Sequence, residues 1–189
     1  NRDPILEVLR AAFPRSGRVL ELGCGTGQHA SFFAEQFPGL TWLPTDLDPT
    51  AVQSAAAWAE ATGVTNLEPG KQLDLTAPIT EWPPGPFDAA FSANVIHISP
   101  PEVTSGLIEG VGSVLRPGGS FVLYGPFKVQ GDFTSESNRQ FEGWLKGLQP
   151  SFGIRDMEWV VELAELAGME QLEARPMPAN NFCLIFARR

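Results

Sequence analysis

The chain has 189 residues, a formal net charge of −9 and a hydrophobic fraction of 43%, which suits one domain with a sizeable buried core. Its scattered Lys and Arg residues argue against duplex nucleic acid, whose phosphates need a basic stripe. No apolar run approaches the ~18 residues of a membrane-spanning helix, and no signal peptide is recognised. Two cysteines and two histidines exclude a disulfide framework and a histidine-rich zinc site. We therefore predict no metal and expect a reducing, cytoplasmic location.

The first half of the chain predicts helices alternating with strands. Asp3 and Pro4 are typical of a helix start, and apolar residues continue at helical spacing to Ala12. We then expect a strand at 18–22, a helix at 26–37, a strand at 40–45, a helix at 50–61, a weak strand within 65–75 and a strand at 87–93. Asp48 is the expected N-cap of the 50–61 helix.

The second half continues the alternation and then departs from it. Ser99 and Glu102 have the spacing of a capping box for a helix whose apolar residues run to Leu115. A strand at 120–124, helices at 134–148 and 156–167, and strands at 169–175 and 181–187 follow, with Asp156 as an expected cap. Alternation predicts a largely parallel α/β sheet. Because residues 176–180 are too few for a parallel crossover, the last strand should run antiparallel.

A glycine-rich turn lies between the first strand and the next helix, in the segment Glu21-Leu22-Gly23-Cys24-Gly25-Thr26-Gly27. Glycines let the backbone turn tightly and approach a ligand, and the helix start offers free N–H groups. A dinucleotide site would place a third glycine where Gln28 stands. Glu21 also suits an ammonium group or a water network better than a diphosphate.

Two carboxylates follow neighbouring strands. Asp46 comes 19 positions after Gly27 and can accept both hydroxyls of a ribose. Asp74 follows the third predicted strand, where it can accept from an adenine amino group or form an Asx turn. Both interpretations of Asp74 remain open at this point.

Five ordered segments resemble the landmarks of class I S-adenosylmethionine-dependent methyltransferases: the glycine turn, Thr45-Asp46, Leu73-Asp74-Leu75, Phe87-Asp88 and Leu115-Arg116-Pro117-Gly118-Gly119. The resemblance covers residues 18–125. It implies S-adenosyl-L-methionine as cofactor, bound by Glu21, Gly23, Cys24, Gly25, Gly27, His29, Asp46, Leu47, Asp74, Leu75 and Asn94.

The whole chain resembles the methyltransferase-like 26 group within that class. The segments that carry this likeness include Asp3-Pro4-Ile5-Leu6, Gly27-Gln28-His29-Ala30, Ile96-His97-Ile98, Tyr124-Gly125-Pro126-Phe127, Ser137-Asn138, Gly153-Ile154-Arg155-Asp156 and Met177-Pro178-Ala179-Asn180-Asn181. Cys24 departs from an expected serine, at a position whose contacts should be backbone. The resemblance implies one domain over 1–189 with a doubly wound, Rossmann-like, seven-stranded sheet. The sheet would be mostly parallel with a reversed last strand and helices on both faces, and the N-terminal helix (about 4–13) would be a lid or flank.

Ligands of open α/β sheets bind beyond the carboxyl ends of the strands, which brings several segments to one mouth. The predicted substrate-binding residues there are His97, Tyr124, Phe127, Asn138, Arg155, Asn180 and Asn181. His97 is the first choice for a base, and the alternative is a packing residue bonded to backbone. Arg155 would hold a substrate anion or pair with a surface acid. His29 is expected to line the cofactor cleft rather than act as a base.

These residues predict in-line methyl transfer to a small-molecule acceptor, without a nucleic-acid or membrane partner. In such an enzyme the protein mainly supplies alignment and a dry cleft, because the cofactor is already activated. Two alternatives stay open: a non-catalytic S-adenosylmethionine-binding or interaction protein, and a nicotinamide-dependent oxidoreductase. The sequence makes no prediction of the oligomeric state.

Overall fold

A computed structural model describes all residues from 1 to 189. The helices are α1 (Arg2–Ala12), α2 (Gln28–Gln36), α3 (Pro49–Thr62), α4 (Pro101–Val114), α5 (Glu136–Leu148) and α6 (Met157–Leu166). The strands are β1 (Gly17–Leu22), β2 (Leu40–Asp46), β3 (Lys71–Gln72), β4 (Phe87–Ala93), β5 (Leu115–Gly125), β6 (Phe127–Val129), β7 (Asp132–Phe133), β8 (Arg155–Asp156), β9 (Met169–Met177) and β10 (Asn181–Arg188). None of the helices has the length and apolar character needed to cross a membrane.

Seven strands form one sheet in the order β3-β2-β1-β4-β5-β10-β9. β1 pairs in parallel with β2 and β4, and β5 pairs in parallel with β4. β10 is antiparallel to both of its neighbours, β5 and β9. The predicted fold class, including the reversed last strand, is confirmed. A single turn of 3-10 helix, Pro178–Asn180, joins β9 to β10, and so short a link permits only an antiparallel pair.

The two faces of the sheet carry separate apolar clusters. On one face, α1 and α2 cover residues such as Val19, Trp42 and Phe91. On the other face, α4 and α6 cover residues such as Leu20 and Phe121. Because α1 packs against β5 and β10, it flanks the sheet. This layering leaves the carboxyl edge of the parallel strands uncovered by the main helices.

Several predicted helix starts differ from the structure. α1 begins at Arg2, so Asp3 and Pro4 lie in its first turn, where a proline is tolerated. The capping box at Ser99 is wrong: the Ser99 hydroxyl donates to the Val95 carbonyl at 2.8 Å, and α4 begins at Pro101. Pro100 is extended because the residue before a proline avoids the helical region.

Two further features were missed at the sequence level. Asp156 occupies the predicted N-cap position of α6, but its side chain makes no capping bond and accepts instead from the Gly131 N–H at 2.9 Å. Strands β7, β6 and β8 form a second, small sheet in that order. Its strands have two or three residues each, which is too short for a period-2 pattern to reveal.

Asp48 caps α3 as predicted, since its carboxylate accepts from the Thr50 N–H at 2.8 Å. We expect Asp48→Ala to lower the free energy of unfolding, because one N–H of the first turn loses its partner. Urea denaturation measures the change. Asp48→Asn is the matched control, since asparagine caps about as well, and an equal loss in both variants would contradict the capping role.

Candidate functional site

A cavity of about 540 Å3 opens at the carboxyl ends of β1 to β4. Its wall contains Gly23, Cys24, Gly25, His29, Asp46, Leu47, Leu73, Asp74, Leu75, Ala93, Asn94, Val95, Ile98, Ser99, Pro100, Val103 and Phe152. Nine of the eleven residues predicted to hold a cofactor are in this list; Glu21 and Gly27 are not. They meet because the carboxyl ends of parallel strands lie at one edge of the sheet.

The glycine turn has the backbone conformation that its composition predicts. Gly23 and Gly25 have φ angles of 71° and 53°, in the left-handed region that favours glycine. A Cβ on Gly23 would lie 2.1 Å from a Val95 methyl group, whereas a Cβ on Gly25 would meet no atom within 4 Å. The turn is therefore pressed against the segment after β4 on one side and open to the cavity on the other.

Asp46 joins the glycine turn to the end of β2. Its Oδ2 accepts from the Gly25 N–H at 2.9 Å, and its Oδ1 accepts from the Asp48 N–H at 3.0 Å. A carboxylate offers about four acceptor positions. Each oxygen can therefore still accept a hydroxyl from a ligand in the cavity.

Asp74 forms an Asx turn, which is one of the two roles predicted for it. Its Oδ1 accepts from the Thr76 N–H at 2.8 Å and from the Thr76 hydroxyl at 2.7 Å. These hydrogen bonds hold the pKa of Asp74 below its ordinary value. Because both bonds use Oδ1, the second carboxylate oxygen has room for a ligand donor, and the turn does not exclude the adenine contact.

Glu21 lies beneath the cavity rather than in its wall. Its side chain is buried, and its Oε2 accepts from the Trp42 indole N–H at 2.6 Å. Burial raises its pKa from 4.5 to about 8, the Trp42 bond opposes this, and the nearby Asp46 charge adds to it. The structure thus places Glu21 outside the residues that form the wall, and its direct cofactor contact stays a prediction.

Gly27 is the second predicted cofactor residue outside the wall. A Cβ there would lie 2.3 Å from the Ala55 Cα, and its φ is 80°. Its hydrogen atom therefore allows α2 and α3 to approach closely at the start of α2. The sequence pattern could not separate this packing role from ligand contact, because both need a residue without a side chain.

His97 is buried and does not line the cavity. Its Nδ1 faces the Arg155 N–H at 3.4 Å, its carbonyl accepts from the Gly153 N–H at 3.0 Å, and its ring meets the edge of Phe127. Burial, and then the Arg155 charge, lower its pKa to about 3. The position matches the alternative of a packing residue bonded to backbone, and it corrects the expected substrate-facing base.

Arg155 follows neither of its two predicted roles. Its guanidinium donates to the carbonyls of Ile96, Ser99 and Ser151. It thereby fastens the segment after β4 to the loop before β8, and that loop contributes Phe152 to the cavity wall. Main-chain partners from distant segments leave no signal in the sequence, so this role was not predicted.

The remaining predicted substrate residues also lie outside the cavity wall. Phe127 is fully buried in the core, and Tyr124 is buried on the α1 face. The Asn138 amide donates to the Thr134 hydroxyl and to the Asn180 carbonyl, each at 3.0 Å. Asn180 donates to the Ser137 hydroxyl, and Asn181 donates to carbonyls of its own turn. These asparagines fasten the β9–β10 turn onto α5.

We expect Asn138→Ala to lower the free energy of unfolding by about 1–2 kcal/mol, because it removes two part-buried hydrogen bonds from a buried side chain. Cavity ligands should bind with unchanged affinity. Chemical denaturation and calorimetry measure the two properties. Asn181 serves as a control: its amide donates only to carbonyls of its own turn, so Asn181→Ala should have a smaller effect on stability. Loss of ligand binding without loss of stability in Asn138→Ala would restore the predicted substrate contact.

Eight residues of the wall were not predicted from the sequence, and all but Ser99 are apolar: Leu73, Ala93, Val95, Ile98, Ser99, Pro100, Val103 and Phe152. Val95 and Ile98 follow Asn94 closely and could have been inferred from the end of β4. Phe152 has no such signal, because Arg155 and His97 bring its loop to the cavity from far along the chain.

The fold is shared with solved methyltransferases. An O-methyltransferase family 2 protein from Planctomyces limnophilus, solved in complex with apigenin, superposes with a TM-score of 0.83 at 21% identity, over 100% of this chain and 57% of that one. The fold is therefore that of the class I methyltransferases.

Among curated relatives, methyltransferase tpcM of Aspergillus fumigatus is 31% identical over 59% of this chain and 32% of its own length. A 2-heptyl-1-hydroxyquinolin-4(1H)-one methyltransferase of Mycobacteroides abscessus is 29% identical over 57% of this chain and 45% of its own length. The matches thus span less than half of these relatives. The chain belongs to the family described as protein of unknown function (DUF938), whose model matches residues 1–188.

Proposed function

We propose that this protein binds S-adenosyl-L-methionine and transfers the sulfonium methyl group to a small-molecule acceptor. The observation that carries the proposal is Asp46, which bonds Gly25 of the glycine turn and retains acceptor capacity toward the cavity. A sugar hydroxyl pair at the end of β2 fits this arrangement. The match to methyltransferases in both fold and sequence supports the same chemistry.

The wall of the cavity suits the remaining parts of the cofactor. Gly25 leaves space into which no protein atom intrudes, so a ligand can approach the backbone of the turn. The free oxygen of Asp74 suits the adenine amino group, and Leu47, Leu75 and Val95 offer apolar contact to its ring. When bound, the cofactor supplies an activated methyl group. The protein aligns the acceptor and excludes water.

The charges of the wall argue for an acceptor that carries no anionic group. Asp46 and Asp74 are the carboxylates of the wall, and neither lysine nor arginine is part of it. The nearby Arg155 is committed to main-chain carbonyls. A carboxylate or phosphate on the acceptor would therefore lack a cationic partner. Apolar residues at one end, including Ile98, Val103 and Phe152, favour an acceptor with an apolar body.

Three finer assignments belong to the proposal. Membership of the methyltransferase-like 26 group is supported by the segments that span the chain. One catalytic domain over 1–189 is supported by the family match over nearly the same residues. A cytoplasmic location is supported by two cysteines that are both free and buried.

Calorimetry with S-adenosylhomocysteine and with NADH tests the cofactor. We expect S-adenosylhomocysteine to bind with one-to-one stoichiometry and NADH not to bind. Binding of NADH alone would overturn the proposal in favour of an oxidoreductase. Methyl-labelled S-adenosylmethionine, incubated with a small-molecule cell extract, then tests transfer. Cofactor binding without labelled product would favour a non-catalytic binding protein.

A further inference from the structure

We propose that His29 accepts the proton of the methyl acceptor and that Asn1 holds the His29 ring in the required orientation. This inference rests on the proposed function, because it assigns a further catalytic residue to the same cavity. The sequence predicted His97 as the base and His29 only as a residue of the cleft. In the structure His29 lines the cavity and His97 does not, so the base role passes to His29.

The His29 ring is held from two sides by aromatic residues. It stacks on Phe33 with ring centres 5.4 Å apart, and it meets Phe91 edge-on at 6.3 Å. Phe33 and Phe91 are fully buried core residues of α2 and β4. The ring is therefore supported by rigid elements, although it lies on the surface of the cavity.

Asn1 determines which ring nitrogen carries the proton. The Asn1 Oδ1 lies 3.1 Å from the His29 Nε2. An amide oxygen only accepts hydrogen bonds, so Nε2 donates and Nδ1 carries the lone pair. No side chain forms a hydrogen bond with Nδ1, and this atom is not fully buried. The lone pair is thus accessible on a ring that lines the cavity.

The charge state of His29 suits a proton acceptor. Burial lowers its pKa below 6.5, and the positive charge of Arg2 lowers it further. The other titratable groups of the cavity wall are Cys24, Asp46 and Asp74, and Tyr124 on β5 shares its neighbour Asn1 with His29. Burial raises the pKa of Tyr124, against a hydrogen bond from Asn1. At neutral pH His29 is uncharged and can take a proton.

In the proposed transfer, His29 takes the proton of the acceptor. The acceptor heteroatom loses its proton to the His29 Nδ1 and forms its new bond to the methyl carbon. The carbon–sulfur bond breaks, and its electron pair stays on sulfur, which leaves a neutral thioether. The imidazolium then returns its proton to water. An acceptor that is already deprotonated would not need His29.

Nuclear magnetic resonance tests the position and the orientation without any acceptor. The chain has two histidines, so protein labelled with 13C and 15N at histidine gives one signal set for each. We expect His29 to show the Nε2–H tautomer and to shift when S-adenosylhomocysteine is added, while His97 shifts less. Asn1→Ala should change the His29 tautomer population and leave His97 unchanged. Asn1→Asp should raise the pKa of His29, because a carboxylate stabilises imidazolium.

Transfer to phenol and to thiophenol, with methyl-labelled S-adenosylmethionine, tests the proton transfer. Thiophenol is largely deprotonated at pH 8 and phenol is not. We expect His29→Gln to slow transfer to phenol by at least about 100-fold and to change transfer to thiophenol by much less. An equal loss with both acceptors, or no loss with phenol, would overturn the assignment.

The outcomes separate this inference from the proposed function. If calorimetry detects no S-adenosylhomocysteine binding, the proposed function fails. If S-adenosylhomocysteine binds but His29 has the Nδ1–H tautomer, or Asn1→Ala leaves its signals unchanged, the assignment of His29 and Asn1 fails and the proposed function stands.

Discussion

Asp46→Ala is expected to weaken S-adenosylhomocysteine binding by about 10- to 100-fold while the chain stays folded. A hydrogen bond to a charged group contributes about 1.5–3 kcal/mol, and the variant loses both ribose contacts proposed for this carboxylate. It also releases the Gly25 N–H, to which Asp46 is bonded at 2.9 Å, so the turn loses part of its support. Calorimetry measures the affinity, and circular dichroism checks the fold.

Asp48→Ala is the matched control for this measurement. Asp48 lies two residues away and caps α3, and it is not part of the cavity wall. Its loss should lower stability and leave the affinity within about twofold. Unchanged affinity in Asp46→Ala would contradict the ribose assignment.

Glu21→Gln is expected to stabilise the protein at alkaline pH. The folded protein holds the pKa of Glu21 at about 8, against 4.5 for an exposed glutamate. Below pH 4.5 both states are protonated, and its contribution to stability is fully present. As the pH rises from 4.5 to 8, only the unfolded chain loses this proton, so stability falls. Glutamine keeps an acceptor for the Trp42 indole but has no proton to lose, and the variant should gain about 3–5 kcal/mol over the native chain at pH 9.

Urea denaturation at several pH values between 4 and 9 measures this difference. At pH 4 the two proteins should be nearly equal, because the protonated acid and the amide resemble each other. The exposed Glu35 provides a control, since Glu35→Gln should show no such divergence. A constant difference across the range would contradict the buried, protonated Glu21. Because Glu21 lies outside the cavity wall, its substitution should also affect S-adenosylhomocysteine affinity less than Asp46→Ala.

Local patterns predicted the elements that depend on few neighbours. Asp48 before Pro49 marks a helix start by chemistry that the first turn contains within itself. The short link before β10 limits the last strand to one direction. Ser99 and Asp156 show where local patterns fail, because each side chain had two possible partners and the distant or unexpected one was preferred.

The cavity wall combines both kinds of information. Gly23, Gly25 and Asp46 follow strand ends, and parallel strands bring such residues together whatever else the chain does. Sequence patterns therefore predicted nine residues of the wall. Phe152 reaches the wall through Arg155, whose carbonyl partners lie up to 59 positions away in the chain. No spacing rule describes such a contact.

The amino-acid sequence was sufficient for the α/β class, the reversed strand and the meeting of the glycine turn with Asp46 at one edge of the sheet, because glycine, proline and short links restrict the backbone locally. Only the tertiary structure decided that His29 lines the cavity and that His97 and Glu21 are buried outside its wall. An imidazole or carboxyl group has the same formula at every position, and its access to ligands and its charge follow from burial and neighbours that come from distant parts of the chain.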